Sequence, residues 1–453
     1  MVPFQRFCTF ILTLWTFTSV LVNGLSVTGS RTLVLIDGKV DDVDNYSRFI
    51  DLLQSHSFDV TSLPLTSRST KVHIFDETGD RLYDNIVIFP IKGRHFNKQL
   101  SAKKLIQFSE SGGNILTVTN PIAASDSILA YLNQLGIYPS PKDYYLQDYF
   151  QEGDNDNDNN TNLQFQESCL LNPTIYKPQT AAAATENDKL SSFSFGDQCS
   201  SALLDNREQL VPIMTASRTS FTRDADSDTL WGAGTQSYLV VGFQNLYNAR
   251  TAWVGSMAFF NNANFEQNSP FVDELVKWVF KEKAVVEMTE FRHSHADGRS
   301  YEEAPYKVTD EVVYEIGLKM WDGAKWVPYV ADDVQFELRQ VDPYYRITMH
   351  SSGSDSGDEV MDYTTGPFKL PTRHGMFKFM TDYKRPGWTF VEAEDVRAIR
   401  HLANDEYRRS WEITNAWVYL TSIYSVICLF VAFVFFFLTT PMSKAVPAEK
   451  KTN

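Results

Sequence analysis

The sequence predicts an α/β unit, a middle α/β region and a C-terminal antiparallel β-sandwich, followed by one transmembrane helix. Three observations carry that reading. Apolar runs of strand type alternate with amphipathic helical stretches from residue 31 to about residue 136. From about residue 284 the period drops to two, the mark of half-buried antiparallel strands. No charged residue lies between Glu412 and Lys444, a span longer than the roughly 20 apolar residues that a helix needs to cross a bilayer.

The chain opens on FCTFILTLWTFTSVLV (Phe7 to Val22), with Arg6 before it and Val22 and Gly24 at small-residue positions. This pattern reads as a signal peptide over residues 1–24, and the run is short for a hydrocarbon core of ~30 Å. Cleavage after Gly24 discards Cys8. The first domain, residues 25–140, begins with the strand RTLVLID (31–37) and a helix striped by Tyr46, Phe49, Ile50 and Leu53. A strand from Phe58 to Leu63, the strand DNIVIFP (84–90) and a helix through Leu105 and Ile106 follow, the helix stopped at Gly112-Gly113. The strand NILTVTN (114–120) and a helix from Asp126 to Gly136 complete it, with Pro139 and Pro141 as the boundary. Such alternation implies a parallel, doubly wound sheet.

The middle region, residues 141–283, starts with the polar acidic loop QEGDNDNDNNTN (151–162), which has nothing to bury. SYLVVGF (237–243) and TAWVGSMAFF (251–260) read as buried strands, and Ser269-Pro270 as the cap of a helix striped by Val272, Leu275, Val276 and Val279. In residues 284–400, Tyr314, Ile316, Leu318 and Met320 alternate with polar residues, as do Val334, Phe336 and Leu338, and Phe377 and Phe379 continue the theme. An immunoglobulin-like sandwich is expected. The membrane helix covers 417–440, with Trp411, Trp417 and Tyr419 as an interfacial belt, and the tail 441–453 carries Lys444, Lys450 and Lys451 against Glu449. The tail is then cytosolic and the bulk of the chain lumenal, a single-pass type I topology. Thr421, Ser425 and Cys428 share one stripe of this helix, where Ser and Thr either face a partner helix or bond their own backbone.

A net charge of −15 over 453 residues excludes a generally basic, nucleic-acid-binding surface. Hydrophobic residues at 43% exclude wholesale disorder. With Cys8 removed and Cys428 in the membrane, Cys169 and Cys199 are the only lumenal pair, and an oxidising compartment predicts a disulfide between them. Closing a loop of about 30 residues stabilises by roughly 3–4 kcal/mol on the chain-entropy account. Asn45-Tyr46-Ser47 and Asn159-Asn160-Thr161 are glycosylation sequons, Asn159 in the acidic loop being the better acceptor and Asn45 reading equally well as a helix N-cap. Lys450 and Lys451, three and four places from the terminus, form a dilysine retrieval pattern, which predicts residence in the endoplasmic reticulum membrane.

Chemical motifs fall away on inspection. Asp154, Asp156 and Asp158 start like an EF-hand loop, but Asn159 and Phe165 stand where Gly and Glu are needed. His293, His295 and Asp297 have zinc-hydrolase spacing, yet Gly298 stands where a further His belongs, and the stretch reads as a polar inter-domain loop. Gly353 to Gly357 places Asp355 where a nucleophile elbow needs Ser. Acids at 41, 42 and 44 after Asp37-Gly38-Lys39 would repel a phosphate. The first domain resembles the glutamine-amidotransferase-like sandwich, but Asn120-Pro121 offers no Cys or Ser at the turn where that fold carries its nucleophile. No catalytic constellation, metal site or cofactor is expected.

KWVPYVADD (325–333), VQFELRQVDPYYR (334–346) and GPFKLPTRHGMFKFMTDYKRPGW (366–388) resemble a non-catalytic subunit of oligosaccharyltransferase, the wheat-germ-agglutinin-binding type of the fungal complex. RTLVLID, YNARTAWVGSMAFF (247–260), the single C-terminal membrane helix and the dilysine tail agree in order, while the acidic insertion 151–162 departs from the pattern. The resemblance implies a type I subunit of the complex that transfers a preassembled glycan from dolichyl diphosphate to Asn in Asn-X-Ser/Thr. Its implied partners are the catalytic multi-spanning subunit and other membrane subunits of ribophorin and DAD type. It leaves open contact with the dolichol-linked oligosaccharide. The competing classes are a membrane-tethered lumenal hydrolase and a lectin-like cargo receptor, both of which would purify alone.

Overall fold

The computed structural model describes residues 26–65, 71–92, 100–150, 163–177, 192–227, 229–353, 359–407 and 416–441. Continuous apolar runs form the first layer, because strands buried on both faces have no polar side to show. β1 (Arg31–Ile36), β2 (Asp59–Pro64), β3 (Asn85–Ile88) and β4 (Asn114–Val118) pair in parallel in the order β2-β1-β3-β4. Leu33, Leu35, Ile86, Ile88 and Ile115 face one side, under α2 (Ala102–Glu110) and α3 (Asp126–Leu135), whose Leu105, Phe108, Ile128, Tyr131 and Leu132 close that core. Val34, Ile36, Val87, Leu116 and Val118 face the other side, where α1 (Ser47–Ser55) contributes Phe49 and Leu53. α3 stops at Gly136, whose φ of 90° is the left-handed cap that glycine adopts without strain.

The boundary expected at Pro139 and Pro141 does not break the sheet. β5 (Ile137–Pro139) is followed by β6 (Tyr144–Gln147), β7 (Leu163–Gln166) and β8 (Ser192–Gly196), and the chain then returns to the main sheet through β9 (Ala202–Leu204) and β10 (Leu210–Thr215). β11 (Phe221–Asp224) and β12 (Leu230–Ala233) pair aside with β6, and β13 (Tyr238–Gln244) and β14 (Arg250–Val254) rejoin. The result is one nine-stranded mixed sheet, β2-β1-β3-β4-β14-β13-β9-β5, with β10 also on β13. β14 lies parallel to β4, with Thr251 opposite Ile115, and antiparallel to β13. Every residue of β14 is buried, so it needs a neighbour on each edge.

α4 (Phe265–Val279) packs Phe271, Val272, Leu275, Val276 and Val279 on the α1 side of the sheet. It begins before the expected cap, and Pro270 lies inside it. Buried Asn268 ties this first part of the helix to β8: its side chain accepts from Ser194 N at 2.8 Å and donates to Ser194 O at 2.7 Å and Phe259 O at 3.0 Å. Gly242 in β13 leaves room for the Trp278 indole, which a Cβ there would meet at 2.5 Å.

The named strands of the second unit pair antiparallel, in keeping with their half-buried alternation, and one isolated parallel bridge joins Lys307 to Arg400. β15 (Val285–His295), β16 (Glu311–Trp321), β17 (Trp326–Pro328), β20 (His350–Gly353), β21 (Met361–Thr364) and β22 (Phe368–Lys369) form one sheet. β18 (Gln335–Arg339), β19 (Pro343–Thr348), β23 (Gly375–Tyr383) and β24 (Val391–Ile399) form the other, in the order β19-β18-β23-β24. Val312, Tyr314, Ile316 and Leu318 of β16 meet Phe336, Leu338, Phe377 and Phe379 of the facing sheet in a separate core. α5 (Ala416–Thr439) is 24 residues long, predominantly apolar and without a charged residue, and none of it is buried against the other described residues.

Candidate functional site

In a sheet of this order, ligands gather beyond the carboxyl ends of the parallel strands. Here the protein itself fills part of that edge. Asp37, buried after β1, accepts from Lys39 N at 3.1 Å and Lys92 N at 3.0 Å, tying two strand-end loops together. Asn120, after β4, accepts from Ile122 N at 3.1 Å and donates to Gln198 Oε1 at 3.0 Å. Tyr46 and Phe89 pack with ring centroids 4.6 Å apart and leave no room for a ligand after β1, while an open recess of about 340 Å³ lined by Ile91, Lys92, Ile122, Ser125, Asp126 and Lys142 lies beyond β3 and β4.

The histidines expected in a polar inter-domain loop belong instead to β15. His293 stacks on Phe379 at 4.7 Å and bonds Tyr306 Oη and Asp395 Oδ2, both at 2.8 Å. His295 donates through Nε2 to Ala304 O at 2.8 Å, while Asp297 turns outward and pairs with Arg299. An alternating FRHSH strand puts Phe291, His293 and His295 on one side, where the rings finish the sandwich core and their polar tips find partners.

Cys169 and Cys199, expected to be bridged, are separate thiols in the structure, both against the core beneath α4. Cys199 is fully buried and behaves as a small apolar side chain, its Sγ donating to Ser200 O at 3.5 Å, and burial pushes both thiols above the usual range. Asn45 is exposed, but it sits inside a one-turn 3-10 helix (Val43–Tyr46) and is not the cap of α1. Its Nδ2 donates to Asp41 Oδ1 at 2.5 Å. Asn159, Lys450, Lys451, the acidic loop 151–162 and Ser354 to Gly357 lie outside the described residues. In α5 the hydroxyls of Thr421, Ser422 and Ser425 donate to Val418 O, Tyr419 O and Ser422 O at 2.8–2.9 Å, the self-satisfied form of a membrane helix.

What the fold does build is a junction between the two units. Arg250, completely buried at the start of β14 with no carboxylate partner among the described residues, donates to Gln244 Oε1 at 3.1 Å, Trp278 O at 2.7 Å, Lys283 O at 2.8 Å and Ala284 O at 2.6 Å. It thereby collects the carbonyls at the end of α4 and in the connection to β15. Burial pulls its pKa down to about 9, still protonated at neutral pH. From the sandwich side, Gly387 O accepts from Trp278 Nε1 at 2.8 Å, Trp388 O from Gln244 Nε2 at 2.9 Å, and Phe390 exchanges two bonds with the Asn248 side chain.

Beside this junction opens a cleft of about 730 Å³, with His56, Glu282 and Lys283 on one wall and Trp321, Asp322 and Trp388 on the other. His56 bridges Asp273 at 2.7 Å and Glu282 at 2.8 Å, and these two hydrogen bonds raise its pKa to about 9. Lys277 pairs with Asp273 at 2.6 Å and Glu274 at 3.3 Å, and Lys283 pairs with Glu274. Neither Arg250 nor the His56 network stood out in the sequence. The first had one visible signal, a lone Arg in an otherwise apolar strand; the second had none, its members lying 217 and 226 positions apart.

Residues 23–282 match the family described as OST48, N-terminal domain, and residues 293–441 the OST48 middle domain. The chain is 46% identical over 442 residues to dolichyl-diphosphooligosaccharide–protein glycosyltransferase subunit WBP1 of Saccharomyces cerevisiae, covering 96% of this chain and 98% of that protein. It is 28% identical to the wbp1 subunit of Schizosaccharomyces pombe, over 91% and 93% of the two chains. The 48 kDa subunit of Danio rerio is also 28% identical, over 90% and 91%. Both units of the fold and the apolar helix α5 fall within these matches, and the chain belongs to the OST48 family.

Proposed function

We propose that this chain is a subunit of the oligosaccharyltransferase complex and serves protein N-glycosylation in the endoplasmic reticulum. The observation that carries the proposal is 46% identity to the yeast WBP1 subunit along 96% of the chain. Within it we place the chain as a non-catalytic, single-pass type I component, its folded units lumenal and α5 in the membrane beside the multi-spanning catalytic subunit and the ribophorin- and DAD-type subunits. Lys450 and Lys451 then serve retrieval, and Asn45 and Asn159 carry glycans. The interlocked junction supports an architectural role, because Arg250, Trp278 and Asn248 hold two units as one body through directed bonds.

The test is purification of the tagged chain in mild detergent, with mass spectrometry of what accompanies it and an assay of glycan transfer to a sequon peptide. Expected are stoichiometric membrane subunits and loss of transfer on depletion. Isolation of the chain alone with transfer intact after depletion refutes the subunit reading. A single carboxylate-to-alanine change here that abolished transfer in an assembled complex would refute the non-catalytic role.

A further inference from the structure

We propose that the end of the sandwich remote from the junction rests on the lumenal face of the membrane, with Val341, Met376, Val396 and Ala398 as an apolar strip against zwitterionic lipid. This contact rests on the reading of α5 as a membrane span with the folded units lumenal, and it gives the chain a second hold on the bilayer.

Strand register assembles the strip. β23 pairs with β24 so that Met376 lies opposite Ala398 and Lys378 opposite Val396. β18 pairs with β23 so that Arg339 lies opposite Lys378, and two steps further along that register the β18–β19 turn brings Val341 level with Met376. Gly375 marks how close the turn comes, since a Cβ there would meet Gln340 Nε2 at 2.7 Å. Phe377 and Phe379 point into the core, so Met376 and its cross-strand neighbours point out of the sandwich. Val341 is 90% exposed, Met376 57% and Val396 42%, which makes one open apolar strip across three segments of chain. A turn between strands is ordinarily polar, yet the middle residue of this one is an exposed valine.

The course of the chain decides what covers the strip. β24 ends at Ile399, next to Ala398, and the chain runs on to exposed Tyr407 before α5 begins at Ala416. Residues 408–415 separate Tyr407 from Ala416, a stretch that reaches at most about 32 Å when fully extended. The junction with the first unit lies at the other end of the sandwich, where Gly387 to Phe390 lead into β24. The strip is therefore on the end that the tether keeps near the bilayer, and the first unit is on the far one. So small a strip would not hold a soluble domain on lipid, but the tether turns docking into an intramolecular step at high effective concentration. Exposed Arg373, His374 and His401 stand around it, the two imidazole rings 5.6 Å apart, with exposed Asp342 and Asp405 as counterweight. Mixed charge suits a zwitterionic headgroup layer, and Tyr344 and Tyr407 supply rings of the kind that settle at a membrane interface.

Quenching of a site-directed bimane by brominated phosphatidylcholine tests this on the full-length chain in nanodiscs. Labels are placed by Val341→Cys, Met376→Cys or Val396→Cys, with Thr348→Cys at the other end of β19 as control, all in a Cys428→Ala chain that serves as the blank. With bromine near the headgroup end of the lipid chains, quenching at the Val341 and Met376 positions should be at least about fivefold that at Thr348. Adding Val341→Asp and Met376→Asp to the Val396→Cys chain should remove its quenching and leave the melting temperature unchanged, because both residues are exposed. Equal quenching at all positions, or quenching at Val396→Cys that ignores the two aspartates, would overturn the proposal. Quenching confined to discs that hold two chains would give the strip to a second copy instead. Loss of quenching in the purified complex, with the strip cross-linked to another polypeptide, would give it to a protein partner. Cys428 of the wild-type chain, labelled and exposed to lipid brominated deep in its chains, reports α5 by itself: a quenched Cys428 with an unquenched strip sinks this inference alone, and an unquenched Cys428 sinks the membrane reading beneath it.

Discussion

Arg250→Met is the sharpest perturbation the structure offers, because it removes a charge without a partner and a set of bonds without a substitute. The unbranched methionine fits the same channel, so little cavity is created. Three backbone carbonyls, of Trp278, Lys283 and Ala284, lose their donor inside the protein. Each orphaned acceptor costs roughly 1–3 kcal/mol, while relief from burying an unpaired guanidinium offsets part of the sum, leaving a net loss of about 3–5 kcal/mol. Because those carbonyls belong to the end of α4 and the connection to β15, the loss falls on the coupling of the two units. The assay is urea unfolding of the full-length chain in detergent, followed separately by tryptophan fluorescence and by circular dichroism. Wild type should show coincident transitions; Arg250→Met should show an earlier midpoint and two separated transitions, and Arg250→Lys, which reaches one carbonyl at most, should fall between. Coincident transitions with a midpoint shift worth less than about 0.5 kcal/mol in Arg250→Met would refute the assignment of Arg250 as the clasp.

His56 carries a pH signature: its folded pKa of about 9 exceeds the ordinary 6.5, so its stabilisation is complete below pH 6.5 and is lost as pH rises to 9. The loss should be about 1–2 kcal/mol, since the full difference corresponds to roughly 3 and Asp273 remains partly solvated, and His56→Gln should flatten the thermal-melting profile across that window. Cys169 and Cys199 are separate thiols in the structure, and we propose that an oxidising compartment links them: peptide mapping without reduction of chain made there should find the pair, and two free thiols in that material would end the idea. Replacing residues 417–440 by polyleucine should strip partner subunits if α5 docks through the stripe of Thr421, Ser425 and Cys428, whereas full recovery of the complex makes α5 a plain anchor, as its self-bonded hydroxyls would permit.

What was legible in the sequence was what burial writes locally. RTLVLID and NILTVTN are apolar on both faces because helices cover both sides of the sheet, and β16 alternates because one of its faces is solvated. The membrane helix announces itself by the absence of charge. What stayed hidden was every relation between distant strands. TAWV reads as a buried strand, but nothing in it says that its neighbour is NILTV, more than 130 positions earlier, and so one sheet was divided at two prolines that merely end β5 and open a turn. FRHSH misled for a different reason: histidine counts as polar in a periodicity pattern, yet an imidazole with both nitrogens bonded packs as an aromatic ring.

The same reasoning explains why the junction eluded a reading of motifs. A catalytic motif gathers its residues on one turn or strand, whereas a clasp between units has to draw on both. Arg250 comes from β14, Trp278 from α4, Asn248 from the hairpin before β14, and Trp388 and Phe390 from the entry to β24. Each is an unremarkable residue in its own segment. Only the topology that brings β13 and β14 beside the end of α4 gives them a common purpose, and the cleft exists because the clasp holds its two walls apart at a fixed distance. Loosening the clasp should therefore reach the cleft without touching its lining. In Asn248→Ala, which cuts the two bonds to Phe390, acrylamide quenching of tryptophan fluorescence should rise even though Trp321 and Trp388 are intact. Unchanged quenching in that variant would show that the cleft walls are set by the sandwich packing alone.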